Sequence, residues 1–179
     1  MKFLAHSVHA VLCLLLAMPV GALQSDREQP VYVEADNADL DEAQGIGIYR
    51  GNVLIKQGTM EIRGDEVTIK TKDRKFSSLT SVGKPAKFQQ QLELNESPIF
   101  GDAKHIHYSV SDGILIMRNE AHLTRDGDDF RGNFLRYDTV NEKVYAKRAD
   151  DGSERIKIII QPETLNNNGG DSAEGNSNP

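Results

Sequence analysis

The sequence predicts an all-β chain of antiparallel strands. Apolar residues recur at every second position in segment after segment, as in Ile106, Tyr108 and Val110, or Ile114 and Ile116. That period places one set of side chains on one sheet face. Pairs rich in Gly, Asn and Asp punctuate these segments: Gly51-Asn52, Gly64-Asp65, Asp112-Gly113, Asn119-Glu120, Asp126-Gly127, Gly132-Asn133 and Asn141-Glu142. Such pairs supply the positive φ of tight hairpin turns. The stretch from Ala103 to Ala146 therefore reads as a meander with one apolar face, and helix has little support as the main architecture.

Residues 1–22 carry one early cation, Lys2, then an apolar run from Val8 to Val20 that ends in Val20-Gly21-Ala22. This is the pattern of an export signal peptide cut after Ala22. The run is short for a membrane span and lacks a basic cytoplasmic flank; a retained signal anchor is the alternative. Cys13, the single cysteine, lies inside the run. The mature chain then has no internal disulfide, no thiol nucleophile and no cysteine metal site.

Strand signals begin at Val31-Tyr32-Val33, after Pro30. Ala35 to Glu42 reads as a turn or one helical turn. Ile46 and Ile48 share a face, and Gly51-Asn52 reads as a hairpin before Val53–Gln57. Gly58 and Gly64-Asp65 separate Met60 and Ile62 from Val67 and Ile69. Lys70 to Lys75 reads as an exposed turn, and Leu79 to Val82 as a strand. Pro85 lacks an amide donor and is not expected inside a central strand. Gln89 to Pro98 reads as a hairpin or loop. Ile156–Ile160 is the last strong strand, and an unpaired edge there could accept another chain. Residues 163–179 form a polar tail rich in Asn, Gly and Ser, expected to be disordered. One domain, 23–162, remains.

A chain of 179 residues with formal net charge −6 and no dense basic stripe does not suit nucleic acid. It has neither a phosphate-binding glycine loop nor a serine elbow. His105, His107 and His122 could in principle hold a metal, but they are better read as polar residues on the solvent face opposite Ile106 and Tyr108. Asp126, Asp128 and Asp129 fall short of a calcium loop. Nothing here points to catalysis, metal or cofactor.

The apolar face includes Val31, Val33, Ile46, Ile48, Phe88, Ile106, Tyr108, Val110, Ile114, Ile116, Leu123 and Phe134. It must be covered by closure, by a second layer or by an apolar ligand. An ordinary core is one outcome. A slot for acyl chains is another, with about 0.8 kcal/mol per buried methylene. Arg27, Lys56, Arg63, Lys84, Lys87 and Lys104 are candidate phosphate contacts at its mouth.

Several segments in order resemble the LptA/OstA-like family of periplasmic lipopolysaccharide (LPS) transport proteins. They are Gln29–Asp36, Gly51-Asn52-Val53 with Gln57-Gly58-Thr59, and Gly83–Phe88. Gly101-Asp102-Ala103 with Ile106-His107-Tyr108, and Gly132 with Tyr137, complete the match, whereas Glu93–Ile99 departs from it. The resemblance implies a twisted, partly open β-jellyroll of two antiparallel sheets, located in the periplasm. It also implies non-enzymatic transfer, with lipid A acyl chains in the groove between the sheets. Val31, Val33, Phe88, Tyr108 and Val110 are the implied lipid contacts. Such jellyrolls join head to tail into a bridge from the inner-membrane LptBFGC complex, through LptC, to the outer-membrane LptD/LptE translocon. Val31, Tyr32, Val33 and Glu34 form the implied N-terminal interface edge, and Ile156, Ile158 and Ile160 the C-terminal one. A purely structural edge-pairing spacer and an LptC-like partner subunit are the alternatives; an envelope hydrolase has least support.

Overall fold

A computed structural model describes residues 26–92 and 97–162. After one 3-10 turn, Asp26–Glu28, come ten strands: β1 (Val31–Glu34), β2 (Asn37–Asp41), β3 (Ile46–Gln57), β4 (Met60–Lys72), β5 (Lys75–Gln90), β6 (Ile99–Ser109), β7 (Ile114–Arg125), β8 (Asp128–Asp138), β9 (Lys143–Lys147) and β10 (Lys157–Ile159). Every pairing is antiparallel. The ladder runs β1-β3-β4-β5-β6-β7-β8-β10, with β2 also on β3 and β9 also on β8. The expected signal peptide and polar tail lie outside the described residues.

The strands β3 to β8 are 11 to 16 residues long, about twice the usual length. Five of them bend at an irregularity: between Arg50 and Val53, Arg63 and Glu66, Val82 and Ala86, Asp102 and His105, and Arg118 and Ala121. Gly51 and Asn52 have φ of 80° and 47°, and Asn119 and Glu120 have 62° and 58°. These pairs, expected to close hairpins, instead form bulges inside β3 and β7. The reason is shared chemistry: a bulge needs the same left-handed residues as a turn. Gly64-Asp65 sits at the bend of β4, and Gly132-Asn133 lies within β8 where its outer partner changes from β10 to β9. By contrast Asp112-Gly113, Asp126-Gly127 and Asn141-Glu142 do lie in turns between strands.

The aligned bends fold one long ladder over on itself. On one side of the bend line lies a first layer containing Ile46–Arg50 of β3, Phe134–Asp138 of β8, and the outer strands β2 and β9. On the other side lies a second layer with Leu54–Gln57, Asp129–Arg131, β1 and β10. Among the described residues β1 does not pair with β10, nor β2 with β9. The result is an all-β, two-layered jellyroll that is not closed into a barrel.

Two local expectations are corrected. Asn37–Asp41, read as a turn, is strand β2, because pairing with Ile46–Arg50 overrides the poor strand propensity of Asn and Asp. Pro85 lies inside β5, at the register shift between Val82 and Ala86, where the ladder asks no amide of it.

The interior between the layers includes Ile55, Ile62, Leu79, Ile106, Leu115, Met117, Leu123, Leu135 and Tyr137, all buried. Leu115 and Met117, not Ile114 and Ile116, face it, and likewise Leu135 rather than Phe134, and Gly47 rather than Ile46 and Ile48. Segments such as Ile-Leu-Ile-Met are apolar on both faces, so alternation alone cannot choose the inner one. Bends add to the difficulty. In β4 the inward positions run Met60 and Ile62, then Val67 and Ile69, a change of parity across the irregularity. Ser81, fully buried, donates to the Arg63 carbonyl at 3.1 Å and satisfies backbone freed by the bend.

Candidate functional site

The site has three parts: a closed middle, two apolar mouths, and a lip where polar groups tie the layers together. In the middle, Phe88 of the second layer meets Tyr108 of the first, ring centroids 5.2 Å apart. Phe88 is 2% and Tyr108 4% exposed. Gly101 makes room for Met117 opposite: a Cβ at Gly101 would stand 2.7 Å from the Met117 sulfur. The protein's own side chains thus fill this part of the interior.

At the lip, farthest from the bend line, Tyr108 donates its hydroxyl to Gln90 Oε1 at 3.1 Å. Gln90 in turn donates to Asp26 Oδ2 at 2.9 Å, and Asp26 also accepts from the Thr59 amide at 2.8 Å and hydroxyl at 2.7 Å. The Asp26–Glu28 turn is thereby fastened to the β3–β4 hairpin. Gly58 in that hairpin, at φ 58°, has no space for a Cβ, which would fall 2.1 Å from Asp26 Oδ1. A second tie is Arg125. It donates to the Tyr137 hydroxyl at 3.2 Å, to Glu142 at 2.8 Å and to Asp126 at 3.1 Å. Burial works against the Arg125 charge, but the hydrogen bonds to Glu142 and Asp126 outweigh it and hold its pKa above the ordinary value. Burial also pushes the Tyr137 phenol up.

The mouths lie at the two ends of the ladder. Val33 packs against the core while Val31 is exposed. They stand opposite Ile55 and Gln57. Leu40 of β2, opposite buried Gly47, is 60% exposed. At the other end Val144 and Ala146 of β9 pack on the core. Ile158 stands opposite Phe130, and Ile156, Ile158 and Ile160 all remain about half exposed. Of the expected lipid contacts, the structure brings Phe88 and Tyr108 together and buries Val110 in the turn just past the end of β6. Val31 and Val33 lie at a mouth instead. The expected interface residues lie on β1 and on or beside β10, the terminal strands of the path.

The candidate polar residues disperse. His105 and His107 lie on the outer face, and His107 shares a hydrogen bond with Thr80 at 3.0 Å. Burial, with Arg118 and Lys70 nearby, lowers the His107 pKa. His122, across the bend, lies between Asp102 at 3.1 Å and Asp129 at 2.7 Å. Among the described residues no group of three or more His, Cys, Asp or Glu could hold a metal. Asp126 pairs with Arg125, Asp129 with Arg131, and Asp128 accepts from the Gln161 amide. Lys56 and Arg63 pair with Glu61, and Lys104 with Glu120. Lys84 and Lys87 are exposed, and the Arg27 side chain lies outside what is described. Sequence reasoning missed Asp26, Gln90 and Arg125. Only the position of Arg125, just before a turn pair, hinted at a strand end.

Among the described residues this is an unclosed two-layer jellyroll with an apolar interior whose end strands pair on one side only, a scaffold to which further strands can be added. Residues 32–143 match the family described as LptA/(LptD N-terminal domain) LPS transport protein. The chain is 38% identical over 148 residues to the lipopolysaccharide export system protein LptH of Pseudomonas aeruginosa, covering 79% of this chain and 84% of that one. It is 28% identical over 170 residues to the lipopolysaccharide export system protein LptA of Escherichia coli K12, covering 92% and 90%. The crystal structure of P. aeruginosa LptH, described as the LptA-homologous periplasmic component of the lipopolysaccharide transport device, superposes with TM-score 0.70 at 37% identity, covering 77% of this chain and 99% of that one. The chain belongs to the LptA/(LptD N-terminal domain) LPS transport family.

Proposed function

We propose that this chain carries lipopolysaccharide through the periplasm without enzymatic chemistry, as one element of a head-to-tail bridge. The observation that carries this reading is family membership together with an apolar interior whose end strands, among the described residues, pair on one side only. Residues 1–22 direct export, and 23–162 form the working domain. The β1 edge, Val31 to Glu34, receives an LptC-like partner on the inner-membrane side. The edge of Ile156, Ile158 and Ile160 meets the next copy or an LptD/LptE translocon. Strand addition gives both contacts their affinity and direction. Val31 and Val33 meet acyl chains at the mouth. Phe88, Tyr108 and Val110 meet them once the layers part.

The filled middle favours a second reading, a spacer that pairs by its edges and never binds lipid. Photo-crosslinking in cells from Val33, Tyr108 and Ile158 separates the two. Lipid adducts at Val33 and Tyr108, with a protein adduct at Ile158, support transfer. Protein adducts at Ile158 with no lipid at either other position would leave only the spacer.

A further inference from the structure

We propose that β2 and β9 form a second seam between copies of this chain. Lys143–Lys147 of one copy adds antiparallel to Asn37–Asp41 of the next, beside the contact between the β10 and β1 edges. This rests on the head-to-tail reading above and adds to it a surface in the other layer.

Topology supplies the first support. Successive strands of each layer are antiparallel, and each layer runs from an outer strand through six shared strands to another outer strand. The two outer strands of a layer therefore run in opposite directions. A copy displaced along the ladder meets β9 with its own β2 antiparallel, and β10 with its own β1 antiparallel, in one movement. Such a contact is heterologous and does not close on itself.

Side-chain direction supplies the second. β2 and β9 are five residues each. Leu40 lies opposite buried Gly47, so Ala38 and Leu40 point inward. Val144 and Ala146 lie opposite buried Tyr137 and Leu135, so they point inward too. Setting Leu40 against Val144 and Ala38 against Ala146 keeps the apolar residues of both copies on the interior side, as the period of two requires. It also covers Leu40. The same register sets Asp41 against Lys143, Asp39 against Tyr145 and Asn37 against Lys147 on the outer side.

Charge supplies the third. β2 and its flanks carry Asp36, Asp39, Asp41 and Glu42, whereas β9 and its flanks carry Lys143, Lys147 and Arg148 with one carboxylate, Glu142, which falls opposite Glu42 in this register but is already paired with Arg125 at 2.8 Å. Two β2 edges would set carboxylates against each other, and two β9 edges lysines. Only the β9-to-β2 arrangement is complementary, which identifies a second copy in head-to-tail orientation as the occupant. Lys147 already pairs with Asp150 at 2.6 Å, so Lys143 with Asp41 carries the specific contact.

The test uses the full chain with Cys13→Ser and one engineered cysteine pair at a time. Asp39→Cys with Tyr145→Cys reports the second seam, and Tyr32→Cys with Ile159→Cys the first. All four positions are exposed. Mild oxidation followed by a non-reducing gel is expected to give a ladder from dimer upward with each pair. A ladder from Tyr32 and Ile159 alone would overturn the second seam while the bridge stands. A ladder from neither would overturn both. Charge reversal checks the register. Asp41→Lys or Lys143→Asp alone is expected to weaken self-association about fivefold in sedimentation, the order of one exposed ion pair. The two together should restore it to within about twofold. Cross-linking without this rescue would overturn the Asp41–Lys143 pairing.

Discussion

Truncating Phe88 to alanine tests whether the middle of the interior is closed. The ring is 2% exposed and packs against Tyr108 of the opposite layer at 5.2 Å. Removing a buried phenyl costs about 3–5 kcal/mol, of which the aromatic pairing accounts for about 0.5–1.5 kcal/mol. Domain stabilities are about 5–15 kcal/mol, so the variant is much weakened and, at the lower end of that range, stands at the edge of unfolding. Taking a urea slope of about 2 kcal/mol per M for a domain of this size, its midpoint falls by about 1.5–2.5 M. Val31→Ala is the reference. Val31 lies at a mouth, 38% exposed, and its loss costs below about 1 kcal/mol, or less than about 0.5 M. Far-ultraviolet circular dichroism across a urea series reads both. Equal shifts for the two variants would mean that Phe88 is no better packed than a mouth residue. The division into closed middle and open ends would then be wrong.

Asp26→Ala removes the acceptor shared by Thr59 and Gln90. It should cost about 2–3 kcal/mol, because charged hydrogen bonds are lost and the part-buried Thr59 backbone amide and Gln90 side-chain amide lose this acceptor, while the Thr59 hydroxyl keeps the Gln91 carbonyl. Asp26→Asn, which keeps one acceptor, should recover about half in the same urea assay. The Asp129 carboxyl is held below its ordinary pKa by the Arg131 hydrogen bond and by His122, against a smaller opposing push from burial. A depressed folded pKa contributes stability that is present above the unfolded value, about 3.9, and lost as pH falls through the folded value. Asp129→Asn should therefore lower stability at pH 7 and make its decline below pH 4 shallower. Parallel acid profiles for variant and parent would contradict that account.

Much of the architecture was legible because one physical rule, alternation across a sheet, dominates the chain. Ile55, Ile62, Ile106, Tyr108 and Leu123 fall where alternation puts them. Turn chemistry was legible too, but not its meaning. Gly51-Asn52 and Asn119-Glu120 look like hairpins because bulges and turns draw on the same left-handed backbone, and only pairing partners on both sides separate them. The layered form follows from that distinction. Read as hairpins, these pairs give many short strands; read as bends, they give long strands folded once. Residues of the lip were hidden for a different reason. Asp26 and Gln90 are 64 positions apart, and Arg125 meets Glu142 only because β8 returns antiparallel to β7. No local pattern encodes such contacts.

If acyl chains enter between the layers, as proposed above, the bend line and the lip define how a filled interior would admit them. Exchanging contacts between apolar side chains for contacts with acyl chains moves no apolar surface into water, so to first order it is neutral. What resists parting of the layers is the set of polar ties at the lip, Tyr108 to Gln90 and Arg125 to Tyr137 and Glu142. Each contributes about 0.5–3 kcal/mol. An entering acyl chain that buries ten methylenes gains about 8 kcal/mol. On the proposed reading that gain is of the same order as the three hydrogen bonds together, about 1.5–9 kcal/mol, so an entering chain offsets much or all of the cost of opening the lip. The bend, where ladder pairing is interrupted in five strands, is the hinge that this reading predicts. On that reading loading needs no preformed cavity, because the lipid replaces the side-chain contacts that fill the interior.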